Sequence, residues 1–278
     1  MDPTIETQAH PAERFDVRSA DGTVLAVWVN GVGPAIVMVH GSIADHTTFD
    51  PFVDVLRNQF TTFSMDRRGF GASPVEAAPY SIERDFDDVA AVVDEVTART
   101  GAPVAVWGHS YGANCAMGAA TITPGVAHLI LYEPSLGITY PPGSIEAIES
   151  ALAAGNRDQA ITRVLKDILD MTDADIEEFR TNPLWPTRLA AAHTIPRECR
   201  AESEWTFEPG RFDAITAPSL FIAGADSPPD VAAATAAAAT AVPHATVHAL
   251  PGHGHFAHKT DPALVARIIS DFVGHAND

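Results

Sequence analysis

Short apolar runs alternate along this chain with longer stretches in which apolar residues recur every three or four positions. Arg14 to Ala20 and Thr23 to Asn30 alternate apolar and polar residues on either side of Ala20-Asp21-Gly22, the pattern of an antiparallel hairpin. Continuous apolar runs predict buried strands at Ala35 to Val39, Phe60 to Met65, Val104 to Trp107, His128 to Tyr132, Pro218 to Ala223 and Thr246 to Leu250. Helical spacing lies between them, at Thr47 to Gln59, at Ser81 to Thr100 with Ser81 as the expected N-cap, and at Pro262 to Val273. The alanine-dominated stretch Val231 to Ala241 is a strong helix former of the kind that lies on a sheet. From Ser135 to about Phe212 the texture changes: apolar strands vanish, and polar helical stretches appear near Ser144 to Ala154, Arg157 to Met171, Asp173 to Thr181 and Leu184 to His193. The alternation predicts an α/β fold, a mostly parallel sheet covered on both faces. Its core would span 1–134 and 213–278, with 135–212 inserted as a helical cap.

In such sheets chemistry gathers beyond the carboxyl ends of the strands. The apolar runs end here in His40-Gly41-Ser42, Asp66-Arg67-Arg68-Gly69-Phe70-Gly71, Gly108-His109-Ser110-Tyr111-Gly112, Glu133-Pro134, Gly224-Ala225-Asp226 and Gly254-His255-Phe256. Gly-x-Ser-x-Gly is five common residues and occurs by chance. The apolar strand before it and the small-residue helix after it (Ala113, Ala116, Gly118, Ala119) supply the strand–turn–helix setting a nucleophile needs. A turn that tight admits only small residues two places before and after the serine, and it leaves Ser110 strained at the apex. The amide of Tyr111 then points where negative charge would develop, aided by the positive end of the helix.

Composition narrows the classes. With 36 acidic against 17 basic residues and a formal charge of −19, the chain lacks the basic block that phosphate backbones require, so nucleic-acid binding is disfavoured. No apolar run approaches membrane-spanning length. Cys115 and Cys199 are isolated, giving neither a disulfide framework nor a metal spacing. Residues Met1 to Glu13 are polar and acidic, unlike a secretory signal, and the expectation is a cytoplasmic protein. Neither a glycine-rich phosphate loop nor a His/Cys ligand cluster is present, so no metal, nucleotide or flavin is expected. Oligomeric state is not encoded in any of these features.

From Arg14 to Val273 the ordered motifs resemble the α/β-hydrolase fold superfamily, and the Asp66-Arg67-Arg68-Gly69-Phe70-Gly71 loop most resembles its capped serine esterases and cofactor-free perhydrolases. The resemblance implies a mostly parallel eight-stranded sheet with helices on both faces and a helical cap. It also implies Ser110 as nucleophile, His255 as general base and acid, and the amides of Ser42 and Tyr111 as the oxyanion hole. Ser42 stands where many relatives carry an aromatic residue. Asp226 is the favoured orienting acid, although it could be only a turn residue before Pro228-Pro229. Glu133 is held in reserve, because some members place the acid after the preceding strand. His253 and His258 read as exposed loop polarity, His40 as a brace for its loop, and Asp66, Arg67 and Arg68 as a salt-bridged scaffold. Leu184, Trp185 and Trp205 either line a substrate pocket under the cap or pack the cap on the main domain.

A serine nucleophile excludes aspartyl-enzyme chemistry. The expectation is hydrolysis of a carboxylic ester, lactone or thioester of a small-to-medium, partly apolar substrate through an acyl-enzyme. Perhydrolysis or carbon–carbon bond hydrolysis would use the same triad, although Ser42-Ile43-Ala44-Asp45 lacks the glycine-rich loop usual in carbon–carbon hydrolases. Two other classes remain: a ligand receptor that has lost turnover, and a hydroxynitrile lyase. The latter needs a cation beside the pocket, which the sequence alone does not identify.

Overall fold

The computed structural model describes residues 13–73, 79–208 and 210–275; the N-terminal stretch read for a signal lies largely outside them. Eight strands form one sheet in the order β1 (Glu13–Arg18), β2 (Val24–Gly31), β4 (Thr61–Met65), β3 (Ala35–Val39), β5 (Val104–His109), β6 (Val126–Tyr132), β7 (Ser219–Gly224), β8 (Ala245–Leu250). The hairpin β1–β2 is antiparallel, β2 also meets β4 antiparallel, and every pairing from β4 to β8 is parallel. This is the α/β-hydrolase fold.

The period-two pattern divides the core. Val37 and Val39 of β3 face one apolar cluster with helices α2 (Ile82–Thr100) and α3 (Tyr111–Ala119), whereas Ile36 and Met38 face another with α1 (Asp50–Leu56) and α11 (Pro262–His275). Ser81 does occupy the N-cap position of α2, yet its side chain makes no capping bond. Among the described residues no helix is long and apolar enough to cross a membrane.

Between β6 and β7 lie α4 (Ser144–Ala153), α5 (Arg157–Arg163), α6 (Asp173–Thr181), α7 (Trp185–Ala191) and α8 (Ile195–Ser203), with their own apolar cluster around Ile148, Ile161, Leu165 and Ile176. The stretch expected as one helix from Arg157 to Met171 instead runs into a π-helical turn at Val164–Ile168. Helix α8 has no counterpart in the sequence reading, for a physical reason. Its buried positions do obey the i, i+3, i+4, i+7 rule, but they are Ile195, Glu198, Cys199 and Glu202, so two acids interrupt the apolar stripe.

Those acids tie the insertion to the sheet. Glu198 forms an ion pair with Arg67, whose guanidinium also lies 3.5 Å from Asp85 and over the rings of Phe70 and Tyr111. Arg68 is held by Asp88 and Asp21. Asp66 accepts from the amides of His46 and Ala72 at 2.8 and 2.7 Å. The scaffold role expected of Asp66, Arg67 and Arg68 is what these contacts describe.

Candidate active site

The turn from β5 into α3 has the required geometry. Ser110 sits at φ 54°, ψ −126°, a backbone conformation L-residues rarely adopt. A Cβ on Gly112 would lie 2.3 Å from the carbonyl oxygen of Val39, and one on Gly108 would lie 2.6 Å from Cα of Ala113. The two glycines therefore let the turn press against β3 and against its own helix. Ile43 (φ 48°) and Glu133 (φ 47°) share the left-handed region, so three of the five described non-glycine residues with positive φ border this one site. Such clustering of strain is typical of functional sites.

Ser110 and His255 line the same cavity, together with Gly41, Ser42 and His109. His255 is held from several sides. Its Nδ1 donates to Glu133 Oε2 at 2.6 Å, its carbonyl accepts from His109 Nε2 at 2.8 Å, and the hydroxyl of Tyr132 bonds the carbonyl of Gly254 and accepts from the amide of Ala257. Glu133 is fully buried, and its other oxygen accepts from the amide of Gly224 at 2.7 Å. The carboxylate thus bridges the end of β7 to the imidazole.

The imidazole's partner is a correction to the sequence reading. Asp226 is exposed, and its amide is tied to the carbonyl of His253 at 3.0 Å. No described residue bonds its side chain. Glu133 reaches the imidazole from the neighbouring strand end, with one methylene more than aspartate.

A second correction concerns the other histidines. His258 is buried rather than exposed, its ring centroid 4.2 Å from that of His109 at a tilt of 52° and near Trp107 and Tyr132. Burial pushes the pKa values of both His109 and His258 well below the usual histidine range, so both are neutral. His40 braces its loop as expected: Nδ1 donates to the Gly41 carbonyl at 2.8 Å, leaving Nε2 to accept from the Arg67 amide at 3.1 Å. Burial holds it neutral too, at about 3.

The amides of Ser42 and Tyr111 have no acceptor among the described residues, which leaves both available to a ligand oxygen. The Tyr111 ring points away, its hydroxyl bonded to that of Tyr80.

The cavity encloses about 820 Å³, mouth included. Its apolar wall does not include the three residues for which lining and packing were both open. Trp205 packs on Phe86, Phe207 and Phe212, and Trp185 lies edge-on to Phe179; neither lines the cavity. Leu184 borders a separate small void beside Ile43. The lining comes instead from Ile138, Leu165, Ile168, Phe179, Ile195 and Phe256. The π-helical turn contributes Val164, Leu165 and Ile168 on its inner side. Only the helical spacing of these apolar residues could have signalled them.

Charged groups also enter the cavity. Arg188 and Lys259 line it, as does Glu202, which accepts from Asn114, Ser135 and Tyr140. Burial pushes the carboxyl of Glu202 up to about 7. Asp45, His46 and Asp66 are the one grouping of metal-ligand types among the described residues. Their atoms already serve one another, with His46 Nδ1 bonded to Asp66 at 2.9 Å and Asp45 capping Thr47.

One cavity thus brings together a serine on a strained strand-to-helix turn and an imidazole bonded to a buried carboxylate. The chain belongs to the alpha/beta hydrolase family, whose model matches residues 36–268. It is similar to a 2-(acetamidomethylene)succinate hydrolase of Mesorhizobium japonicum, at 26% identity over 90% of this chain and 91% of that protein. Among solved structures it resembles an alpha/beta hydrolase of Sphaerobacter thermophilus, with a TM-score of 0.80 and 28% identity over 93% of this chain and all (100%) of the other. It also shares its fold with an enol-lactonase of Burkholderia xenovorans, at a TM-score of 0.72 and 20% identity over 94% of this chain and 100% of that one.

Proposed function

We propose that this hydrolase cleaves a carboxylic ester or lactone through an acyl-enzyme on Ser110, with His255 as general base and then acid, and Glu133 as the orienting carboxylate. The observation that carries this reading is the Glu133–His255 bond at 2.6 Å beside a serine held at φ 54° on the same cavity. With Nδ1 committed to Glu133, Nε2 is the nitrogen free to take the Ser110 proton. The serine oxygen attacks the carbonyl, and the developing oxyanion is received by the amides of Ser42 and Tyr111. Collapse expels the alkoxide, which takes the proton from His255. Water, deprotonated by the same imidazole, then releases the acid. His109 and Tyr132 are positioning residues, since they fix the loop that carries His255.

The test is labelling by a fluorophosphonate probe together with burst release of p-nitrophenol from acetate and butyrate esters. Stoichiometric labelling of Ser110, abolished in Ser110→Ala, is expected. An unlabelled serine in folded protein would return the chain to the class of non-catalytic receptors. Lys259 in the cavity favours one second reading, hydroxynitrile cleavage, which needs such a cation. Release of benzaldehyde from mandelonitrile would reveal it.

A further inference from the structure

Three arginines are buried among the described residues, and they differ in one respect. Arg67 is paired with Glu198 and Asp85, and Arg68 with Asp88 and Asp21. Arg188, 3% exposed, has no ion pair with a carboxylate among the described residues; Asp45, across the small void both line, acts on it only through space. Its NH1 makes one long contact to the Ile43 carbonyl at 3.5 Å, its guanidinium lies over the Phe179 ring at 4.1 Å, and Nε and NH2 have no hydrogen-bond partner among the described residues. A buried guanidinium with open donors is costly unless something pairs with it.

A second cation is close at hand. Lys259 lies four residues after His255, in the short helix Ala257–Thr260, its ammonium 5.1 Å from the centroid of Phe256, and no acid among the described residues pairs with it. Phe179 and Phe256 are themselves 5.8 Å apart, so the two cations flank a pair of touching rings on the cavity wall that carries His255. Burial, with Arg188 adding to it, lowers the Lys259 pKa to about 7. All this occurs in a chain with a formal charge of −19, where acids to pair with are abundant. The one acid in the cavity, Glu202, is already engaged by Asn114, Ser135 and Tyr140 on a different set of contacts.

We infer that Arg188 and Lys259 form an anion subsite that binds a free carboxylate on the substrate, so that the preferred substrates are half-esters or lactones carrying a second, unreacting carboxylate. The planar fork of Arg188 offers Nε and NH2 as parallel donors to one carboxylate, and Lys259 adds a point charge. The reacting carbonyl lies at Ser110, and the apolar lining takes the carbon chain between the two ends. The inference rests on the hydrolase reading for the reacting end alone.

The experiment compares isosteric pairs by pH-stat: monomethyl succinate against methyl butyrate, and monomethyl glutarate against methyl valerate. The half-esters should show the larger kcat/KM. The ratio within a pair should fall roughly 10- to 100-fold in Arg188→Gln and in Lys259→Met, and be partly retained in Arg188→Lys, which keeps the charge without the fork. A brace for the Ile43 loop alone would lower both members of a pair equally, leaving the ratio intact, and that outcome overturns the inference. So does a wild-type preference for the neutral ester. Calorimetric binding of succinate and glutarate to Ser110→Ala provides a readout without turnover, and weaker binding after adding Arg188→Gln is expected. No binding at millimolar dicarboxylate in the folded protein counts against the subsite. Dicarboxylate binding with no fluorophosphonate labelling of wild-type Ser110 would instead keep the subsite and discard the hydrolase reading.

Discussion

At the strand ends, the polar groups around His255 are paired with one another; in the helical segment between β6 and β7, a charged group faces the same cavity with no ion-pair partner among the described residues. Glu133 spends both oxygens on Gly224 and His255, and Asp66 is bonded by His46 and Ala72. Arg188, on α7, leaves two donors open. The contrast teaches where each kind of task resides. On the proposed reading, reaction geometry rests on the short bonds between strand ends. On the same reading, substrate choice rests on the helices whose side chains line the cavity.

The sharpest way to break this comparison is to swap the acids. Glu133→Gln should lower turnover by roughly 10³- to 10⁴-fold at unchanged fold, the scale on which an orienting acid acts in such triads, whereas Asp226→Asn should stay within about threefold. The reverse pattern in esterase kinetics would return the acid to the β7 turn. Next in size is the joint between the regions. Arg67→Gln leaves Glu198 and Asp85 buried without their guanidinium and should cost about 3–5 kcal/mol, read as a fall in Tm on the order of 10 °C.

A smaller effect sharpens the cavity wall. Phe179→Ala should raise KM for a medium-chain ester by about tenfold through lost apolar contact, while Leu184→Ala should change it by less than about twofold. The smallest is pH dependence. With its pKa lowered to about 7, Lys259 is charged below that pH and neutral above it, so the half-ester to neutral-ester ratio should decline as pH rises from about 6 to 8. The groups around it are Arg188, which stays charged, His109 and His258, which are neutral, and Glu202, which also titrates near 7 and turns negative in the same direction. Lys259→Met should flatten the part due to the ammonium, and the slope that remains belongs to Glu202. Using the ratio cancels whatever the reacting groups contribute to both esters.

The apolar runs of the strands and the strained turn at Ser110 were legible in the sequence, because a period and a pair of flanking glycines are local, whereas the order in which the strands pair was not. Only the tertiary structure puts Glu133, and not Asp226 of the neighbouring strand end, on the His255 ring, because that contact depends on side-chain reach across β7 and on a positive φ at Glu133. It also decided the cavity wall. Helix α8 hid its buried face behind two acids, the tryptophans turned to other partners, and Arg188 and Lys259, 71 positions apart in number, met only when the insertion folded back over the sheet. Periodicity reports which side of an element is buried; it carries nothing about what that side will meet.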